Sequence, residues 1–325
     1  MFPLIPGSFG SEATDHPTRY VLRKLPHVTL LFWILKTLAV TLGETAGDLL
    51  GITLKVGYVA TALIFLVFFL VVVAAQVKAK RFRPALFWTV VLGTSMVGTE
   101  ISDFSNRGFG HGSAQNGIGY AWGAVILTAL LAIVFLVWWR TGQTYDVENI
   151  ASRKGEILYW IAILISNTLG TSSGDWLAND TGLGFRNAFF VISGMMLLIV
   201  AAHYLTDINT TVLFWLAFIL TRPLGAAGGD SLTKPADEGG LGWGTLGGSA
   251  ALFALLIGFT VYQIVQVRRH PLAPLPYPIS RLTGQPQQPN GAVVEAGEHQ
   301  SPATPSEESG LQRPSDAEGG RERHS

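Results

Sequence analysis

Apolar runs about twenty residues long recur along the chain, separated by short polar segments. At 1.5 Å rise per residue such a run matches the roughly 30 Å hydrocarbon core of a bilayer. Val56 to Val77 and Tyr120 to Trp139 are the plainest examples. Eight spans are predicted, at residues 28–49, 56–77, 84–104, 120–139, 156–177, 184–204, 210–230 and 244–266. Within lipid a single segment can satisfy its backbone only as a helix, so the pattern predicts an all-α integral membrane protein with eight transmembrane helices. Met1 to Tyr20 is polar and lacks a basic start followed by an apolar core, so the first span is expected to act as the insertion signal.

The pattern is internally repeated. Four segments align without a gap: Phe32-Trp33 to Asp48, Phe87-Trp88 to Asp103, Tyr159-Trp160 to Asp175, and Phe214-Trp215 to Asp230. In each, a Gly follows the Trp by ten residues and an Asp follows it by fifteen. The Trp residues are spaced by 55, 72 and 55, so two units form a pair that recurs as a second pair. Every unit continues into a second apolar helix opened by Gly and an aromatic: Gly57-Tyr58, Gly119-Tyr120, Gly184-Phe185 and Gly242-Trp243. Two spans per unit make all four repeats parallel, which predicts a pseudo-symmetric bundle.

The Phe/Tyr-Trp start, the Gly-x-x-x-Gly/Ser and the closing Asp resemble a family of uncharacterised bacterial membrane-anchored proteins with four tandem two-helix repeats of unknown function. The resemblance covers roughly Leu25 to Val267. It implies topology, and no activity.

Charge then orients the bundle. Arg19, Arg23, Lys24, Lys78, Lys80, Arg81, Arg83, Arg140, Arg153, Lys154, Arg268 and Arg269 lie at one end, against Lys55, Arg107, Arg186 and Lys234 at the other. This bias predicts both termini in the cytoplasm and a bacterial inner-membrane location. The domain reading is a cytoplasmic segment 1–24, a membrane domain 25–270 with repeats near 25–80, 81–140, 153–204 and 208–267, and a disordered tail 271–325 rich in Pro, Gln, Ser, Glu and Gly. Overall 49% of residues are hydrophobic and 14% charged, with formal net charge zero and no cysteine. Lipid is therefore the expected partner; a nucleic-acid footprint and thiolate chemistry are absent from the sequence.

The candidate chemistry lies in the odd spans. Trp33, Trp88, Trp160 and Trp215 sit about 22 Å along the helix from the aspartates and are read as interface anchors. Gly43/Gly47, Gly98/Ser102, Gly170/Gly174 and Gly225/Gly229 are small residues one turn apart, expected to let the odd helices pack closely around the axis. Glu44, Asp48, Glu100, Asp103, Asp175 and Asp230 are acidic within the spans, with Lys36 and Arg222 as the basic residues. Acidic groups at membrane depth are expensive unless they pair or face water. They are read either as a ring lining a path or as helix-end caps. Arg222 precedes Pro223 and is expected to pair with Glu44, or with carbonyls freed beside the proline. Lys36 is read as snorkelling to the nearby interface. His111 lies with Arg107, Asp237 and Glu238 in the longer loops expected to cover the outer mouth, and His27, His111 and His203 are read as ordinary solvated side chains.

The leading functional expectation is a transporter or channel for a cation or proton-coupled substrate, with Glu44, Asp48, Glu100, Asp103, Asp175, Asp230 and Arg222 along its path. Oxygen ligands alone would suit hard ions or protons. The Gly43–Asp48 segment is loosely similar to the Glu-x-Gly-Asp motif of some cation/proton exchangers, with a spacing different by one residue. The alternative is a non-transporting scaffold or sensor with structural aspartates. No cofactor is expected, and the absence of HExxH, Gly-x-Ser-x-Gly and cysteine argues against an enzyme.

Overall fold

The computed structural model describes residues 19–56, 58–107, 117–238, 240–280 and 282–295. Its framework is eight long helices: α1 Leu30–Asp48, α2 Tyr58–Lys78, α3 Pro84–Arg107, α4 Tyr120–Arg140, α5 Arg153–Asp175, α6 Gly184–Leu205, α7 Thr210–Thr233 and α8 Gly244–Arg269. Seven of them are long and apolar enough to cross a membrane, α5 being the exception because Arg153, Lys154, Glu156 and a run of Ser, Thr and Asn dilute it. Side-chain caps start several: the Thr29 hydroxyl accepts the Phe32 N–H (3.4 Å), the Ser152 hydroxyl accepts that of Gly155 (2.9 Å), and Asn209 Oδ1 accepts that of Thr211 (2.8 Å). Gly119 and Gly184, at φ +80° and +72°, let the chain turn into α4 and α6 in a conformation that side-chain-bearing residues avoid.

The odd helices form a closed ring in the order α1, α3, α5, α7 and back to α1. Burial separates the two sets: α1, α3 and α7 are 61–67% buried over their apolar windows, whereas α2, α4, α6 and α8 are 11–22% buried and present Leu, Val, Ile and Phe outward. Each even helix packs on the odd helix of the next unit, α2 on α3, α4 on α5, α6 on α7, and α8 on α1. The packed pair is thus offset by one helix from the repeated pair, and α8 closes the circle.

Glycine sets how closely the ring draws together. A Cβ on Gly43 would meet Ser95 Oγ at 2.2 Å, one on Gly98 the backbone N of Thr168 at 3.0 Å, one on Gly170 Arg222 Cβ at 2.3 Å, and one on Gly225 Val40 Cγ2 at 2.6 Å. Each first glycine therefore seats the following odd helix at or beside the residue seven positions after that helix's Trp, and unit four seats unit one. Gly47, Gly174 and Gly229 lie against Thr99, Pro223 and Thr45, while Ser102 shares a 2.8 Å hydroxyl contact with Ser172.

The Trp positions correct the interface-anchor reading. Trp88, Trp160 and Trp215 are buried, and Trp33 is half-buried. The first aromatic of each unit packs on the Trp of the next: Phe32 on Trp88 (5.5 Å), Phe87 on Trp160 (5.5 Å), Tyr159 on Trp215 (6.2 Å) and Phe214 on Trp33 (5.7 Å). This cyclic band closes the end of the axis nearest residues 19–29 and 271–295.

The tail expectation is corrected too, as far as residue 295. Strand β1 (Arg19–Val21) is flanked antiparallel by β2 (Leu275–Pro276) and β3 (Val293–Glu295). The Asn290 N–H donates to the Ala151 carbonyl (2.7 Å) and the Ala292 N–H to that of Lys80 (2.9 Å), strapping the tail over two interhelix linkers. Composition alone missed this, because the tail is held by backbone pairing and a few buried side chains such as Leu275 and Asn290 rather than by an apolar run. Residues 1–18, His111 and the tail from 296 lie outside the described residues.

Candidate functional site

In every odd helix the residues three, seven, eleven and fifteen positions after the Trp form a stripe spaced by four, hence on one winding face. On α1 these are Lys36, Val40, Glu44 and Asp48; on α3 Val91, Ser95, Thr99 and Asp103; on α5 Ile163, Asn167, Thr171 and Asp175; on α7 Phe218, Arg222, Ala226 and Asp230. All sixteen are buried except Asp48, which is partly exposed. The stripes face the axis and fill it with side chains.

Above the aromatic band lies the Lys36 layer. Lys36 Nζ donates to Asn167 Oδ1 across the ring (3.1 Å) and sits 4.0 Å from the centroid of Phe218. Asn167 Nδ2 donates in turn to Thr94 Oγ1 (2.9 Å), so one residue from each odd helix takes part. Lys36 is fully buried, which overturns the snorkelling reading: the ring surrounds α1 on this face and leaves the amine no route to solvent. No carboxylate lies within 4 Å of it among the described residues.

The next layer is an ion pair. Arg222 Nη2 donates to Glu44 Oε2 at 2.6 Å and also to the Thr99 hydroxyl, while Nη1 donates to the Val40 carbonyl (3.2 Å). The Thr99 hydroxyl lies 3.1 Å from the same Glu44 oxygen. With its Cβ and Cγ against Gly170, Arg222 reaches from α7 to α5, α1 and α3, and so spans the ring. Charge-assisted bonds of this kind stabilise a buried guanidinium that would otherwise be very costly to desolvate.

The acidic layer lies at the end of the odd helices opposite the aromatic band. Asp48 lies within electrostatic reach of Asp230, Glu44, Asp103 and Lys234, and Asp230 within reach of Lys234, Glu44 and Asp103. Lys234 Nζ is 3.4 Å from Asp230 Oδ2 and 3.4 Å over the Phe185 ring. Glu100 reaches from α3 to α1 beside Gly47, and Asp175 is buried at the end of α5 near the Ser102–Ser172–Asn106 hydroxyl and amide cluster. Asp48 and Asp175 make no side-chain capping bond, because the helix runs on past each through a wide turn, Leu49–Thr53 and Trp176–Asp180. Asp103 and Asp230 likewise lie within α3 and α7, a turn short of their ends.

A second polar cluster holds the face with the termini. Lys24 Nζ pairs with Glu156 Oε2 and donates to Asn290 Oδ1 and to the Val77 carbonyl, both at 3.0 Å; burial lowers the Lys24 pKa from its usual value despite the Glu156 charge. Gln76 Nε2 reaches Glu156 Oε1 at 3.3 Å. Nearby, Glu148 accepts the Val28 N–H (2.6 Å) and meets His27 Nδ1 (2.9 Å). Partial burial works against that carboxylate, yet the Val28 N–H, His27 and Arg23 together hold its carboxyl below the usual glutamate range. His27 is therefore hydrogen-bonded to Glu148 at a linker rather than a free solvated ring.

Sequence reasoning found the carboxylates and Arg222. It read Lys36 as snorkelling and gave no role to Thr94 or Thr99, although the spacing of four places Lys36 and Thr99 on the same stripes as the carboxylates. A cavity of about 880 Å³ opens away from this axis, between residues 142–152, the start of α7 and the tail, lined by Tyr145, Trp215, Leu216 and Ile279 among others and, among the described residues, by no cationic side chain.

The profile of a family described as Repeat of Unknown Function (DUF347) matches the chain four times, at residues 31–82, 86–144, 158–209 and 213–269, more than half of its length. Each match takes in one odd helix and the even helix after it. No curated protein and no solved structure matches significantly.

Proposed function

The chain belongs to the family of proteins built from the DUF347 repeat, and on that premise we propose that it is a membrane carrier moving a cation or a proton-coupled substrate along the axis of its odd helices. The observation that carries this reading is the Arg222–Glu44 pair lying across the ring below the Asp48, Asp103 and Asp230 carboxylates. Ionisable groups at this depth are rare in membrane helices and mark ion and proton pathways. An axis filled by side chains and crossed by a guanidinium opposes free flow of cations. It suits a carrier that exchanges ions or protons in steps better than an open pore. The excess of basic residues on the face with the termini supports a cytoplasmic position for that face in a bacterial inner membrane.

The test is flux into proteoliposomes, scanned over protons, alkali metals, magnesium, calcium and manganese, for the wild type, Asp48→Asn and Asp230→Asn. Wild-type flux of at least one ion that falls at least about tenfold in folded variants is the expected outcome, the tenfold corresponding to ~1.4 kcal/mol of lost interaction. A wild type that moves none of these ions, or variants that match it, would sink the cation reading.

A further inference from the structure

The carrier reading assigns roles to the carboxylates and to Arg222, and leaves Lys36 without one. Lys36 lies one turn above the Phe32–Trp33 aromatics and two turns below Glu44 on the same helix face. Its amine meets one neutral oxygen, Asn167 Oδ1 at 3.1 Å, and the face of Phe218 at 4.0 Å. The amide is itself oriented: Asn167 Nδ2 donates to Thr94 Oγ1 at 2.9 Å, so its oxygen is turned toward the lysine. From α3 and α5 Lys36 therefore faces neutral groups. From α7 it faces Phe218 and the Arg222 guanidinium, whose charge is felt at the amine. No carboxylate lies within 4 Å of it among the described residues.

Such an environment is made for a group that changes charge. A guanidinium keeps its proton throughout the physiological range, whereas a lysine amine in the same interior can exchange one. The carbonyl oxygen and the aromatic face hold an ammonium in place. A neutral amine fits the same site and still donates to Asn167 Oδ1. The two states differ by one positive charge beside Arg222, whose carboxylate contact among the described residues is with Glu44. A positive charge on Lys36 repels the guanidinium, and a neutral amine does not.

We propose that Lys36 is a proton-exchange station on the axis, and that its charge state sets the Arg222–Glu44 pair between two arrangements and so couples the carrier to protons. This rests on the carrier reading for its consequence, but not for its measurement. The first arm of the test needs no transport. Full-length wild type and Lys36→Met, a variant of similar length that is permanently neutral, are purified in detergent and their thermal unfolding followed from pH 5 to pH 9. If the folded protein exchanges a proton at Lys36 within that range, the wild-type midpoint relative to Lys36→Met is level below the folded pKa and rises with pH above it. A difference that is constant across the range, or that rises without a break from pH 5 to pH 9, overturns the proposal.

The second arm uses proteoliposomes under a pH gradient, with whichever cation the wild type carries. Lys36→Met is expected to keep downhill flux and to lose accumulation driven by the gradient; a variant that still accumulates against its gradient overturns the proposed coupling. Should the wild type carry no cation, the carrier reading fails alone, and the unfolding arm still decides whether Lys36 exchanges a proton. Lys36→Gln serves both arms if the methionine variant does not fold.

Discussion

Arg222 shows how one side chain can organise this interior. It touches α5 with its stem and α1 and α3 with its head. Replacing it with methionine leaves the Glu44 carboxylate buried without its partner, a change that typically costs about 3–5 kcal/mol. Arg222→Met should therefore lower the thermal midpoint of the purified protein sharply, and Arg222→Lys should recover little, because an ammonium cannot make the same fork of bonds. The double variant Arg222→Met/Glu44→Leu should lose less than the two single losses added together. Strict additivity in that cycle would show that the pair is not a coupled unit. The pair was legible from sequence because a register offset of four residues brings Glu44 within reach of Arg222, and the scarcity of cations left that carboxylate few partners. Lys36 was not, because a lysine near a helix start reads as one that snorkels, and only the surrounding ring shows that it has nowhere to go.

At the scale of helices, the repeated small residues divide into two kinds. Gly170 is pressed against Arg222 and Pro223, and a methyl group there would lie 2.3 Å from Arg222 Cβ. Gly258, on the outward helix α8, has nothing within 4 Å of the corresponding position. Gly170→Ala should force α5 and α7 apart and cost roughly 1–3 kcal/mol, as overpacking does. Gly258→Ala should be neutral or stabilising by up to about 1 kcal/mol, since alanine favours the helix. Thermal unfolding of the two variants side by side checks this, and equal effects would mean that glycine spacing does not set the ring. The Gly-x-x-x-Gly/Ser pattern announced close packing; it did not say that the partner is always the next odd helix. Nor did it say that the aromatic pairs pack in the same cyclic order.

For the whole molecule, the consequence is an interlocked circle. The N-terminal half alone lacks α7 and α8 against α1, and α5 against both α3 and α4. Fragments 1–146 and 147–325, co-expressed with a tag on one, should co-purify as a complex, while fragment 1–146 alone should be rapidly degraded or aggregate. A stable isolated half would contradict the offset packing of even helices on the following odd helix. The terminal cap belongs to this scale as well, because residues 19–25, 79–83, 147–152 and 271–295 meet there from four parts of the chain.

By itself the sequence determined what depends on local and periodic physics. Apolar run length set eight helices and their four-unit periodicity. The same periodicity located the intramembrane carboxylates and the glycines that face another helix. What only the tertiary structure decided is which neighbour each unit takes: the offset pairing, the closure of α8 on α1, the burial of Trp88, Trp160 and Trp215, the enclosure of Lys36 and the docking of the tail. Identical repeats carry near-identical surfaces, so a linear pattern cannot distinguish a partner within the unit from one in the next. That choice is made by the shape of four helices packed around one axis.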